Sequence, residues 1–403
     1  MRIVWTMMLL LSLLCIGGCR GDASTSVPTS PPRAADSPPV EVASRQGSFT
    51  LTELVTGLDH PWALAFLPDG GMLVTERPGR LRLIRNGEVS APLGGLPKIF
   101  VDDGQAGLLD VALSPDFAKD RLVYLAYAEP NFRGNKTGTA VLRGRLGNDA
   151  LESVEVIYRQ EPKLSSGTHV GTRIVFDDAG YLWVTQGEGR VAEAAQHLDK
   201  LQGKLVRIRP NGSVPQDNPF VGTKDSRPEI WSYGHRNMQG AALHPVTRKL
   251  WTTEHGPMGG DELNIPQARH NYGWPVITNG KDYSGEPVPG SIGASAPGME
   301  SPHYVWTVSP GLSGMAFYTA DLLPQWKGNL FLGALATHEL IRLELDGDKI
   351  VGEERLLTDR NQRIRDVRQG PDGALYLLVD ADAPDGKLLR IGPVDAAAAG
   401  MQK

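Results

Sequence analysis

The feature that most constrains this chain is a weak internal repeat. Each copy is an apolar strand, a turn rich in Pro, Asp and Gly, and a second strand. The copies read WALAFLPDGGMLVTE from Trp62, LLDVALSPDFAKDRLVYLAYAE from Leu108, TRIVFDDAGYLWVTQGE from Thr172, QGAALHPVTRKLWTTEHGP from Gln239, GMAFYTADLLPQWKGNLFLGAL from Gly314 and RDVRQGPDGALYLLVD from Arg365. Several continue into a further strand: RLRLIRNGE, KLVRIRPNG, ELIRLELDGD and KLLRIGP. In the first of these Arg80 and Arg82 alternate with Leu81 and Leu83 before Ile84-Arg85 breaks the pattern. Such period-2 alternation marks a strand with one buried face.

Copies recurring at roughly 45–80 residues predict an all-β fold, a six-bladed β-propeller with four-stranded antiparallel blades. The 47 glycines and 30 prolines among 403 residues fit many short strands joined by turns. The leading segment, Ser48 to Leu58, is expected to close the last blade from the other end of the chain. A short helical turn is expected within 191–202. A pair of β-sandwiches is the competing architecture, and the similarity of the turns argues against it.

The ends read differently. Arg2 and the apolar run Val4 to Ile16 form a secretory signal; the run falls short of the ~20 residues a membrane span needs. Ile16-Gly17-Gly18-Cys19 resembles a bacterial lipobox, so 1–19 is expected to be a lipoprotein signal peptide, with ordinary cleavage as the alternative. Segment 20–46 is rich in Pro, Ser and Ala and is expected to be a disordered tether. Residues 47–394 form the propeller, and 395–403 a flexible tail. No aspartate follows Cys19, which points to the periplasmic face of the outer membrane rather than a soluble periplasmic protein. Cys15 lies in the signal, so no disulfide is expected in the propeller. A net charge of −5 with interspersed signs excludes a nucleic-acid partner.

In a propeller the residues preceding each inner strand converge on one rim. Those positions hold Gln105, His169, Arg236-Asn237, and Arg363 with Arg365. The fourth copy ends in Glu254-His255-Gly256-Pro257, followed by Asp261 to Asn264 and Asn271 to Pro275. Such a rim is polar and cationic and suits an anionic ligand. Backbone carbonyls beside an acidic run suit calcium. Taken singly, His169 reads as a bonded loop histidine, the arginine pair as a solvated strand face, and 254–262 as a solvated loop. Their joint placement at equivalent points of a repeat favours a site.

The segments LDHPWALAFLPDG, GQAGLLDVALSPDF, HVGTRIVFD, DKLQGKLVRIRPNG, EIWSYGHRNMQG, TEHGPMGGDELN, NYGWP and RIRDVRQGPDG resemble the glucose/sorbosone dehydrogenase family, and within it the soluble quinoprotein aldose sugar dehydrogenases. The resemblance runs from about Leu58 to Gly373. It implies pyrroloquinoline quinone (PQQ) and calcium. By motif, the quinone would contact Gln105, His169, Arg236, Asn237, Tyr283, Arg363 and Arg365. The fifth-blade strand end, Gly333 to Thr337, lacks the lysine of the glucose-specific members; the backbone at Ala334 and Ala336 would substitute. Gly256 and Pro257 match a cofactor-bound calcium site, and Glu262 and Tyr272 a second, structural one. His169 matches the base that takes the C1 hydroxyl proton of an aldose while hydride passes to the quinone C5. Arg236 matches the group that stabilises the developing oxyanion. The product would be an aldonolactone, and the electrons would go to an external acceptor. Thr168 leaves no adjacent acid to orient His169; Glu188 is the candidate for that task, with a solvated loop glutamate as the equal alternative. Gly171 is expected to let the backbone pass close beneath a flat cofactor. A monomer is expected. The competing functions are a calcium-dependent propeller lactonase or related hydrolase, and a non-enzymatic, lipid-tethered binding propeller.

Overall fold

The computed structural model describes residues 31–102 and 104–394. The signal-peptide, lipobox and C-terminal-tail readings lie outside these residues. Six inner strands form a ring: Pro61–Phe66, Leu108–Leu113, Ile174–Phe176, Met238–Leu243, Leu312–Phe317 and Ile364–Gln369. Each starts an antiparallel blade of four strands and touches the inner strand of the next, and the ring closes between the sixth and the first. This is the six-bladed propeller that the repeat predicts.

Closure follows the expected route. Phe49–Leu58 pairs with Gly386–Pro393 as the fourth strand of the sixth blade, with Leu51 opposite Ile391. Its alternation explains the fit: Phe49, Leu51 and Val55 are buried, and Phe49 packs edge-on against Trp326 at 5.2 Å. The expectation of a disordered tether over 20–46 is corrected in its second half. Val40–Val42 and Arg33–Ala34 both pair antiparallel with Phe49–Leu58. A closing strand left at an open edge would expose a row of unpaired N–H and C=O groups; these two short strands cover it. The helical turn expected within 191–202 is a 3₁₀ turn at Ala192–Gln196. A one-turn helix, Phe117–Asp120, was not foreseen; its αL end at Arg121 returns the chain to the next strand.

The axis is plugged by charge. Arg173, 2 % exposed, ion-pairs with Asp110 at 3.2 Å and Asp366 at 2.9 Å. It donates to the carbonyls of Gln239 and Arg365 and lies over the Trp62 ring at 4.3 Å. Arg368 adds bonds to Asp110 and Asp366. Asp110 and Asp366 also accept from the backbone N–H groups of Ile174 and Leu64. Each carboxylate therefore stitches its own blade to a neighbour.

The closing strand should carry much of the ring's stability. Phe49→Ala removes a fully buried ring and is expected to cost about 3–5 kcal/mol, read as a lowered denaturation midpoint.

Candidate active site

A cavity of about 1210 Å³ opens at the end of the ring where the chain enters each inner strand. Of the residues singled out from the sequence, Gln105, His169, Arg236, Gly256, Pro257, Tyr283, Ala336, Arg363 and Arg365 line it.

His169 is fixed from both sides. Its backbone has φ +51°, a left-handed conformation uncommon outside glycine. Its N–H donates to Gln105 Oε1 at 2.7 Å. Its Nδ1 lies 2.9 Å from both carboxylate oxygens of Glu188. Glu188 is 1 % exposed, so it is a buried partner rather than a solvated loop glutamate, and its N–H donates to the Arg236 carbonyl. An ionised carboxylate only accepts, which puts the Nδ1 proton in this bond and leaves Nε2 an open lone pair. Nε2 has no partner among the described residues. Gly171 lines the cavity as well, and the fold gives it a reason of its own. Its φ is +77°, and a Cβ there would lie 2.8 Å from Gln186 Cα; the neighbouring backbone already demands glycine.

The opposite wall is cationic. Arg236 Nη1 donates to the carbonyls of His255 and Gly256 at 3.1 and 2.8 Å, and its guanidinium lies 5.1 Å from the Trp274 ring. Asp261, 1 % exposed, holds the turn behind it by accepting the Gly256 N–H at 3.0 Å. Arg365 and Arg363 share Asp380 Oδ2 at 3.0 and 3.4 Å, and His60 Nδ1 meets Asp380 Oδ1 at 2.8 Å. Burial alone would raise the Asp380 carboxyl, but Arg365, His60 and Arg363 hold it far below the ordinary range. The bond to Asp380 in turn raises His60. The Nε atoms of Arg236 and Arg365 are buried with no acceptor among the described residues.

Asn237 and Ala334 do not line the cavity, and neither do Glu262 and Tyr272, which the resemblance assigns to a second, structural position. Side chains alternate at the entry to the fourth inner strand, so Arg236 faces the cavity and Asn237 points between blades. Asn237 Oδ1 accepts from the Gly171 N–H at 3.1 Å and Gln239 Nε2 at 3.0 Å, and its Nδ2 is buried and unpartnered. Ala334 is fully buried in the apolar core with Leu312 and Ile341. Glu262 and Tyr272 instead line a separate niche of about 10 Å³, room for one water-sized occupant. There Glu254 and Glu262 sit opposite one another on paired strands and share the Asn264 amide. Burial, then the Glu254 charge, raises the Glu262 carboxyl. Tyr283, expected as a contact, sits 64 % exposed at the lip.

Sequence reasoning missed His60, Trp62, Gln239 and Asp380, which also line the cavity. A signal was present. Four copies carry an acid at or just beyond the end of the second strand: Glu76, Glu188, Glu254 and Asp380. Each bonds a residue that precedes an inner strand. Glu76 accepts the Asp59 N–H, Glu188 holds His169, Glu254 holds His235 and the Arg236 N–H, and Asp380 holds His60.

Sequence and fold place the chain among known proteins. The family model for Glucose / Sorbosone dehydrogenase matches residues 58–390. The chain is 52% identical over 340 residues to an aldose sugar dehydrogenase, YliI, of Escherichia coli, covering 83% of this chain and 91% of that one. The crystal structure of the soluble Escherichia coli aldose sugar dehydrogenase in its apo-form superposes with a TM-score of 0.83 at 51% identity, covering 86% of this chain and 100% of that one. A PQQ-bound aldose sugar dehydrogenase from Streptomyces coelicolor superposes with a TM-score of 0.70 at 28% identity, covering 85% and 98%. A six-bladed propeller with a buried histidine–glutamate pair facing arginines thus belongs, in this chain, to the glucose/sorbosone dehydrogenase family.

The His60–Asp380 pair sets a pH signature. His60 is raised, so its contribution to stability is complete below about pH 6.5 and is lost as pH climbs through its elevated value. In Asp380→Asn the largest raising influence goes, and the His60 midpoint is expected to fall in an NMR titration; an unchanged midpoint would contradict the assignment.

Proposed function

We propose that this protein oxidises the C1 hydroxyl of aldose sugars to aldonolactones, using PQQ and calcium and passing the electrons to an external acceptor. The observation that carries the reading is the buried His169–Glu188 pair facing an arginine-lined cavity. The residues fit an acidic cofactor with three carboxylates: the unpartnered Arg236 Nε and Arg365 Nε offer donors that the protein does not use. Gln105, Arg236, Arg363 and Arg365 would hold it, with Tyr283 at the lip and the backbone at Ala336. Calcium would sit by the Gly256 and Pro257 carbonyls, the first of which Arg236 also engages. The niche with Glu262 suits a second ion, with Tyr272 beside it. Bound there, the quinone would supply a two-electron hydride acceptor with calcium as its Lewis acid.

The chain's own groups do the rest. His169 Nε2 takes the proton of the C1 hydroxyl as C1 gives up a hydride, leaving the lactone carbonyl. Glu188 holds the Nδ1 proton, which fixes the tautomer and offsets the positive charge that develops on the ring. Arg236 is placed for the charge that appears on oxygen. Asp380 separates Arg363 from Arg365 and keeps both side chains directed along the wall.

Dye-linked oxidation of an aldose panel by purified protein tests the reading. Activity is expected only with PQQ and calcium together, and full activity in quinone-free protein would overturn it. His169→Gln is expected to lower kcat by ~10²–10⁴-fold with quinone affinity retained, and Glu188→Gln to lower it less. We further propose that the mature protein is a monomer anchored by a lipid on Cys19 at the periplasmic face of the outer membrane. Cys19→Ser is then expected to release it from the membrane fraction.

A further inference from the structure

A second cavity, of about 540 Å³, lies between blades three and four. It sits at the far ends of the inner strands that carry His169 and Arg236. Those residues precede Ile174–Phe176 and Met238–Leu243, whereas the cleft is lined by Asp177, which follows the first strand, and by Leu243 to Leu250, around the hairpin that follows the second. The proposed oxidation makes no use of it. Its size is that of a small-molecule site.

Its lining has three properties. One wall is aromatic: Trp183 and Trp231 meet edge to face at 4.9 Å. They are held rigid by Arg207, 4.6 Å from the Trp231 ring, and by the Trp183 Nε1 bond to Asp177 at 2.8 Å. Its cations are already paired. Arg248 binds Asp178 through two bonds of 2.6 Å and Lys249 meets Asp348 at 3.2 Å. Its acids are hydrogen-bonded: Asp177 accepts from the Tyr181 N–H and Trp183 Nε1, and Glu300 lies 2.7 Å from His270 Nδ1. Its inner end holds a buried acceptor without a donor. Asn264 is fully buried and lines the cleft; its Nδ2 donates to Glu254 and Glu262, and its Oδ1 has no donor among the described residues.

A rigid aromatic wall, cations that are already paired and an unfilled carbonyl oxygen suit one ligand chemistry. The ligand has an apolar C–H face to stack, hydroxyls to donate to Asn264 Oδ1 and Glu300, and no charge of its own. We infer that this cleft is a second carbohydrate site, one that binds a neutral sugar without oxidising it. An anion would gain nothing from arginine and lysine that are already paired. A purely apolar ligand would leave Asn264 Oδ1 unmet. The inference is independent of the redox reading, because binding here needs neither quinone nor His169.

Isothermal titration of the quinone-free protein with methyl α-D-glucoside tests it. This glycoside has no free C1 hydroxyl, so turnover cannot confuse the result. Saturable binding is expected in the wild type and in His169→Gln. Trp231→Phe keeps a ring and is expected to weaken binding between about twofold and tenfold. Ser301→Trp, an exposed position on the cleft, is expected to abolish it while leaving the thermal midpoint and aldose oxidation unchanged. Absence of saturable binding, binding that survives Ser301→Trp, or binding of indole but not of the glycoside would each overturn the inference. Failure of the oxidation assay with glycoside binding intact would count against the proposed reaction alone.

Discussion

The ring is held at its centre by one guanidinium. Arg173, from the third blade, reaches Asp110 of the second, Gln239 of the fourth, Asp366 and Arg365 of the sixth and the Trp62 ring of the first. The fifth blade approaches as Gly314, where a Cβ would lie 2.7 Å from the Arg173 side chain. All blades therefore meet one charge. A buried ion pair is costly unless hydrogen bonds support it, and backbone acceptors and donors around this cluster supply most of them. The same cluster forms the floor beneath the cavity, since Trp62, Gln239 and Arg365 each face both. The position of the cationic wall is thus tied to closure of the ring.

Above that floor, the geometry of the rim comes from the acids near the ends of the second strands. Each accepts from the segment that enters an inner strand, so the loops that would otherwise move are pinned to the sheet. Asp380 does this across the closure, joining His60 of the first blade to the arginines of the sixth. Cavity and fold therefore share their supports, and loss of one acid would disturb a wall of the site and a junction between blades together.

Much of this was legible in the sequence because repetition and alternation are local. The turn pattern marks the blades, and the place of Ser48 to Leu58 before the first copy marks the closing strand. His169 and the arginines could be placed because they precede repeated strands. What escaped depended on spacing in three dimensions. Asn237 follows Arg236 directly, yet strand alternation turns it between blades. Ala334 lies in a strand end that reads like part of the rim, but its side chain faces the core. Val40–Val42 sits in a Pro-rich stretch with little apolar surface; it is ordered by pairing with an edge that only the folded ring creates. At Gly171 the packing against Gln186 Cα is a constraint that the sequence does not show. Glu188 was named from the sequence as a partner for His169, whereas Asp380 was visible only as an acid, and the contact across the closure shows that it holds His60.

The fourth blade repeats the histidine–acid pair in a closed form. His235 Nδ1 meets Glu254 Oε1 at 3.1 Å as His169 meets Glu188, but Ser232 Oγ lies 2.9 Å from its Nε2 and Tyr272 stacks on its ring at 4.7 Å. The two pairs have the same chemistry and the same place in the repeat. One has every valence filled and is a rivet; the other keeps a single lone pair toward an open space. In such a ring, reactivity is decided by omission. A search for the working histidine in a repeat protein should count the imidazole nitrogens that nothing has claimed, rather than the histidines themselves.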